Sequence, residues 1–368
     1  YICYISPTFM SKQIYSIITG TGSYIPTEKI LNQDFLSNSF FEKNGAPINK
    51  TNQEIVEKFE EITTIAERRY VSQELNTSDI AYYAAEKAIE SAGIDKEELD
   101  HIIVAHNFGE VKTDNKQLDI LPSLAARVKF RLGIENPNAV AYDVTFGCPG
   151  WIQGVIQANY YIKSGDAKKV LVIGADVLSR VYDPHDRDAM IFADGAGAVI
   201  LEGKESDTPI GIISHATRSD TLEFSEMLVM GDSFHQTEAT KGLKYMKMNG
   251  RRLYHYALTT VPSAMKSCLD KSGIPIDQIK KILIHQANGK MDEAILERFY
   301  KLYESTPPGD VMPMTISWLG NASVATVPTL LDLILKGELK PHSINSGDSL
   351  IFASVGAGMN VNAFVYQY

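Results

Sequence analysis

The chain has 368 residues, 44% hydrophobic and 22% charged, ordinary proportions for a soluble globular protein and enough for two domains or one large duplicated one. Its net charge of −10 argues against a general nucleic-acid binder, and an acidic protein partner would need a local basic patch. Three cysteines (Cys3, Cys148, Cys268) suit a reducing cytoplasm rather than a disulfide framework, and no run approaches the ~18 apolar residues of a membrane span.

Residues 1–9 carry no Lys or Arg and precede Met10. They lack the charged start and cleavage site of a signal peptide, so the expectation is a tail ahead of a domain that opens at Met10. Residues 14–22 read as a buried strand ending in a glycine turn, and residues 38–55 as a polar insertion loop. Residues 53–69 read as helical and end in Glu67-Arg68-Arg69, a solvated or ion-paired trio rather than a phosphate site. Ser78 can cap a helix whose Ala81, Ala84, Ala85, Ala88, Ile89 and Ala92 fall at helical spacing, with Gly93 as its stop. A short strand, HIIVAHN, follows.

In residues 141–165 a β-rich run ends at Gly147-Cys148-Pro149-Gly150, and an apolar-periodic helix begins at Trp151. A cysteine there meets the unpaired N–H groups and positive dipole end of the helix, which favour thiolate over thiol, and Pro149 suits the first helical position. The residue type alone equally allows a small buried hydrophobe.

Residues 92–106 and 272–286 align without a gap at an offset of 180, matching Gly93 with Gly273, Leu99 with Ile279 and Ile102 with Ile282. Gly147-Cys148 opens a helix ending at Lys163-Ser164-Gly165, and Gly320-Asn321 opens one ending at Leu335-Lys336-Gly337. A strand follows each, KKVLVIGAD and DSLIFASVGAG. Helices alternating with near-continuous apolar strands indicate an α/β fold with buried sheets, and the chain reads as an internal duplication. If the halves pack about a pseudo-twofold axis, Cys148 and Asn321 occupy matching helix starts. His285, ending the repeated strand, then points into the same space: a nucleophile with two polar partners. Taken singly, His285 is also readable as a hydrogen-bonded strand-end histidine and Asn321 as an N-cap.

The glycine-rich SVGAGMN (354–360) lets backbone N–H groups approach a substrate, an oxyanion-hole reading, whereas DGAGAV (194–199) reads as tight sheet packing. His101, His106 and His185 form no metal-ligand pattern, no cysteine pair has zinc spacing, and no Walker-type phosphate loop occurs.

The cysteine after a DV-type strand, HQAN at 285–288, GNAS at 320–323, DGAGAV and the terminal GAG carry a family resemblance by their order and spacing. Over residues 14–366 the chain resembles β-ketoacyl-acyl-carrier-protein synthase III, a condensing enzyme of the thiolase fold. The resemblance implies a five-layer αβαβα architecture with halves at 10–205 and 206–368. It also implies a chemistry. Cys148 takes an acyl group from a thioester, its oxyanion held by the N–H groups of Cys148 and Ala357. A second substrate on acyl carrier protein, of malonyl type, then loses CO₂. His285 and Asn321 stabilise the resulting enolate, and a Claisen condensation follows with no metal or redox cofactor. The Cys-His-Asn set differs from that of elongating synthases, which have a second His, and from thiolases, which use a second cysteine near the C-terminus. A homodimer is implied too, with Leu121 in the loop at 109–122 shaping an acyl pocket.

Acyl carrier protein is strongly acidic, and Lys241, Lys244, Lys247, Arg251 and Arg252 form a basic cluster expected to dock it. Arg187, Asn288 and Lys290 are further residues the resemblance assigns to CoA, pantetheine or the carrier, Lys290 standing where Arg is common. Departures bear on the substrate. Lys58 stands at the Trp position that stacks adenine in acyl-CoA-primed members, and Met359-Asn360-Val361 replaces the usual Trp-Gly after the final GAG. Cys148 is followed by Pro-Gly-Trp rather than Ser-Gly-Phe, and the 109–122 loop is long. Two readings within the family stand: a fatty-acid initiating synthase, or a specialised relative using longer or β-ketoacyl chains, as in dialkylresorcinol-type lipids. The departures tilt toward the second. A catalytically silent partner subunit is a third reading, opposed by the presence of all three site residues.

Overall fold

The computed structural model describes residues 13–368, so the expectation for residues 1–9 lies outside the described residues. The first half runs β1 (Gln13–Tyr24), β2 (Glu28–Leu31), α1 (Asn52–Thr63), β3 (Glu67–Tyr70), α2 (Thr77–Ala92), β4 (His101–His106), α3 (Leu124–Leu132), β5 (Val140–Thr145), α4 (Gly150–Ser164), β6 (Lys169–Val177) and β7 (Asp194–Ser206). The second runs β8 (Gly211–Ser219), α5 (Thr221–Phe224), β9 (Leu228–Gly231), β10 (Tyr245–Met248), α6 (Gly250–Ser272), β11 (Ile279–Ile284), α7 (Gly289–Lys301), α8 (Ile316–Leu319), α9 (Thr326–Leu335), β12 (Ser349–Gly356) and β13 (Asn360–Gln367).

Two sheets repeat one topology. The first has the order β1-β7-β6-β4-β5 and the second β8-β13-β12-β11. In both, the pair nearest the N-terminal strand is antiparallel, and the strand after the outer helix (β4, β11) runs parallel to its neighbour. Where β5 flanks β4, the second sheet has only a bend, tied by the Ile282 N–H to the Val311 carbonyl at 2.8 Å. Gly93 closes α2 and Gly273 closes α6, as the repeat requires.

The helices α4 and α9 lie between the sheets. Their side chains form one core with residues of both, including Trp151, Ile156, Leu330, Val172, Phe352 and Phe364. Burial on every side explains why nine consecutive residues of α9, 326–334, are buried, rather than one stripe. Asp332 is tolerated there because Thr21, Ser23 and Lys336 donate to its carboxylate at 2.7, 2.6 and 2.9 Å. Outside, α2 and α3 cover the first sheet and α6 and α7 the second. The result is the expected αβαβα stack. Among the described residues, no helix is long and apolar enough to cross a membrane.

Several local readings are corrected. β1 does not end at its glycines; it passes through Gly20 and Gly22, where a Cβ would collide with the α2 backbone at Ala88 and Ala84. The helical stretch stops at Thr63, with Thr64 left-handed, and Glu67-Arg68-Arg69 is strand β3. Glu67 is ion-paired as expected, to Lys29 and Arg69, but Arg68 is fully buried. Its guanidinium donates to the Met190 carbonyl (3.0 Å) and Asn32 Oδ1 (2.5 Å) and lies 5.0 Å from the Phe35 ring centroid. The N-cap of α2 is Asn76, not Ser78, whose N–H instead reaches Glu110. Pro149 is the cap of α4 rather than its first residue.

Candidate active site

Cys148 is carried by the turn between β5 and α4, His285 by the residue after β11, and Asn321 by the turn before α9. Together they line one cavity of about 880 Å³. Cys148 follows β5 of the first sheet and His285 follows β11 of the second, so each sheet contributes a strand end to the same cavity.

The backbone packs the turns that carry Cys148 and Ala357 closely against each other. A Cβ on Gly147 would stand 2.8 Å from the Ala357 nitrogen, and one on Gly356 2.5 Å from the Cys148 nitrogen. Only glycine at both positions allows this approach, so the terminal Gly-Ala-Gly is packed against the cysteine turn.

The electrostatics differ from the sequence expectation. Burial pushes the half-buried Cys148 thiol up to about 11, and the Asp176 charge adds to this against a hydrogen bond from Ser323. Desolvation is the largest cause, since it penalises the charged form. Burial also holds the His285 imidazole down at about 4, against a backbone hydrogen bond at Ser323, so the ring is neutral near pH 7. His285 is 5% exposed, and its backbone N–H donates to the Ala353 carbonyl at 2.9 Å.

Asn321 is no helix cap. It bridges to the first half, its N–H donating to the Ile191 carbonyl (3.0 Å) and its carbonyl accepting from Ala193 N–H (2.9 Å). Its Oδ1 accepts from the Ser323 N–H at 2.8 Å, which leaves the side-chain NH₂ as a donor.

The basic cluster is divided by the fold. Lys247 is buried, 2.6 Å from Asp183 and 3.3 Å from Asp186, with its ammonium 3.3 Å from the Phe234 ring centroid. It sits on the inward face of β10, where strand alternation turns it away from solvent, and it cannot meet a carrier. Lys244 pairs with Asp232 (2.7 Å) and Lys241 with Glu238 (3.7 Å). Arg252 is exposed outside the cavity, near Phe224 and the Glu223 carbonyl. Arg251 and Arg187 are exposed and line the cavity, as do Lys50 and Lys58. Asn288 lines it too while capping α7, its Oδ1 accepting from Met291 N–H at 3.1 Å; Lys290 is exposed outside the lining. Leu121 is not part of its own chain's cavity: it is 85% exposed, because the 109–122 loop runs outward.

Sequence reasoning missed Asn107, which lines the cavity immediately after β4. The signal was available: the 180-residue repeat carries Asn107 onto Ala287, inside HQAN. It also missed Asp188, beside Arg187 in the lining, whose carboxyl burial pushes up to about 6.

Known proteins match this architecture. The family model described as 3-oxoacyl-[acyl-carrier-protein (ACP)] synthase III matches residues 142–221, and its C-terminal companion residues 269–368. A β-ketoacyl-[acyl-carrier-protein] synthase III of Xanthomonas campestris pv. campestris is 33% identical over 362 residues, covering 98% of this chain and 100% of the relative. The solved synthase III of Thermus thermophilus superposes with a TM-score of 0.78 at 28% identity, over 96% of this chain and 99% of that one. The priming β-ketosynthase of the R1128 polyketide pathway gives 0.78 at 25% identity, over 97% and 96%. With the expected motifs and strand order in place along its whole matched length, the chain belongs to the β-ketoacyl-acyl-carrier-protein synthase III family of carbon–carbon bond-forming acyltransferases.

Proposed function

We propose that this chain transfers an acyl group from a thioester to Cys148 and condenses it with an acceptor thioester on acyl carrier protein. The observation that carries the reading is that Cys148, His285 and Asn321 line one cavity, with Ala357 in the same lining and its turn packed against that of Cys148. The Cys148 sulfur attacks the donor carbonyl, the N–H groups of Cys148 and Ala357 hold the oxyanion, and the thiol proton leaves with the departing thiol carrier. A malonyl-type acceptor then loses CO₂. Neutral His285 and the Asn321 NH₂ donate to the enolate oxygen; its carbon attacks the acyl carbonyl, and the freed sulfur regains a proton. The step asks nothing of a metal or redox group.

Lys50, Lys58, Arg187 and Arg251 support an anionic carrier at the cavity mouth, phosphopantetheine on an acidic protein or CoA. The specialised reading is favoured by the apolar wall of Ile55, Phe59, Ile62, Met230, Met246 and Met248, which suits a longer chain. A homodimer is supported by the outward apolar side chains of Leu121 and Phe130, 85% and 84% exposed. Intact-protein mass spectrometry after incubation with acetyl-CoA, octanoyl-CoA and acyl-carrier-protein thioesters tests the reading. Label lost in Cys148→Ala supports it, the donor separates the two pathways, and no label from any donor overturns it.

A further inference from the structure

Ser323 touches the whole constellation. Its hydroxyl lies 3.3 Å from the Cys148 sulfur, its N–H serves Asn321, and its backbone neighbours His285. Behind it, the Asn107 side-chain nitrogen lies 2.8 Å from Ser323 Oγ and 2.6 Å from Asp176 Oδ2, and the Asn107 backbone N–H reaches Asp176 Oδ1 at 2.9 Å. Asp176 is buried on β6.

The chain of partners decides where the serine proton goes. Two acceptor oxygens of Asp176 require two donors, so the Asn107 amide must turn its NH₂ toward Asp176 and Ser323. Ser323 Oγ therefore accepts from Asn107, and with the Asn107 donors already meeting Asp176 its single proton is directed at the sulfur, although the Asp176 carboxylate also lies within its reach. We propose that Ser323 is a catalytic residue whose hydroxyl donates to the Cys148 sulfur and stabilises the negative charge that forms there, with Asn107 and Asp176 as positioning residues that aim the proton. The arrangement answers a need of the site: a sulfur in an apolar pocket, set against a buried carboxylate, has few other donors to hold its charge. Ser323 adopts φ +51°, a left-handed conformation uncommon for a residue with a Cβ.

That same conformation supplies a clean variant. Ser323→Gly suits the positive φ, keeps the N–H to Asn321 and removes the hydroxyl with its single methylene. The role given to Cys148 rests on the proposed function, so the test uses no thioester: the rate of Cys148 alkylation by iodoacetamide is followed against pH, site-resolved by peptide mass spectrometry. The expected result is a profile displaced by about one pH unit upward, a roughly tenfold slower reaction at pH 8, as for loss of a hydrogen bond to a charged group. Asn107→Ala, which leaves the hydroxyl but frees it to turn toward Asp176, should displace the profile the same way by less. Profiles coincident with wild type in both variants overturn the proposal. Failure of the condensing reading would show separately, as absent acylation of wild-type Cys148.

Discussion

The Ser323 N–H donates to Asn321 Oδ1 at 2.8 Å, so the asparagine presents its NH₂ to the cavity from one orientation only. Asn321→Asp keeps the acceptor and replaces the donor by a second oxygen. Acylation of Cys148 should persist, while condensation falls about 10²–10³-fold, the usual cost of one donor to a developing oxyanion. Equal loss in both half-reactions, measured by acyl labelling and by CO₂ release, would contradict this division.

Lys247 and Arg251 are four residues apart and should behave in opposite ways. Lys247→Ala leaves Asp183 and Asp186 buried without their cation and should cost about 3–5 kcal/mol of stability in a denaturant titration. Arg251→Glu should leave stability nearly unchanged and raise KM for carrier-bound substrate several-fold, with a small-thioester assay unaffected. A folded, stable Lys247→Ala with only a carrier defect would return that lysine to the docking surface.

His285 ties stability to pH. Its folded-state value of about 4 lies below the ~6.5 of an unfolded histidine, so between these the unfolded chain binds a proton that the folded one refuses. Its contribution is intact above about pH 6.5 and is lost as pH falls toward 4, roughly 3 kcal/mol in all. Wild type should therefore lose more stability than His285→Gln between pH 7 and 4.5. Parallel curves in denaturant melts would show that the ring is not buried neutral.

Leu121→Asp places a charge on an exposed apolar loop and should not alter the fold of one chain. If the loop packs across a dimer, the variant shifts sedimentation toward monomer at micromolar concentration and weakens acylation by long-chain donors together. Unchanged sedimentation would make the loop a free surface.

The duplication, the α/β class and the three residues Cys148, His285 and Asn321 were legible because short-range patterns carry them: apolar runs, helix stops, and a repeat at constant offset. Charge state and facing were not. Lys247 looked like a docking cation because it stands among other basic residues, yet β10 turns it onto Asp183, a partner 64 positions away. Arg68 looked solvated for the same reason and is buried.

The sequence alone determined the α/β class, the internal repeat and the motifs that carry the chemistry, since periodicity and motif spacing are local. Tertiary structure decided what surrounds each group. The thiol stands near 11 and the imidazole near 4 because elements distant in the chain close over them and exclude water. Ser323, Asn107 and Asp176 meet only through packing of the two halves. Desolvation and hydrogen bonding depend on neighbours in space, and those neighbours do not exist until the sheets have assembled.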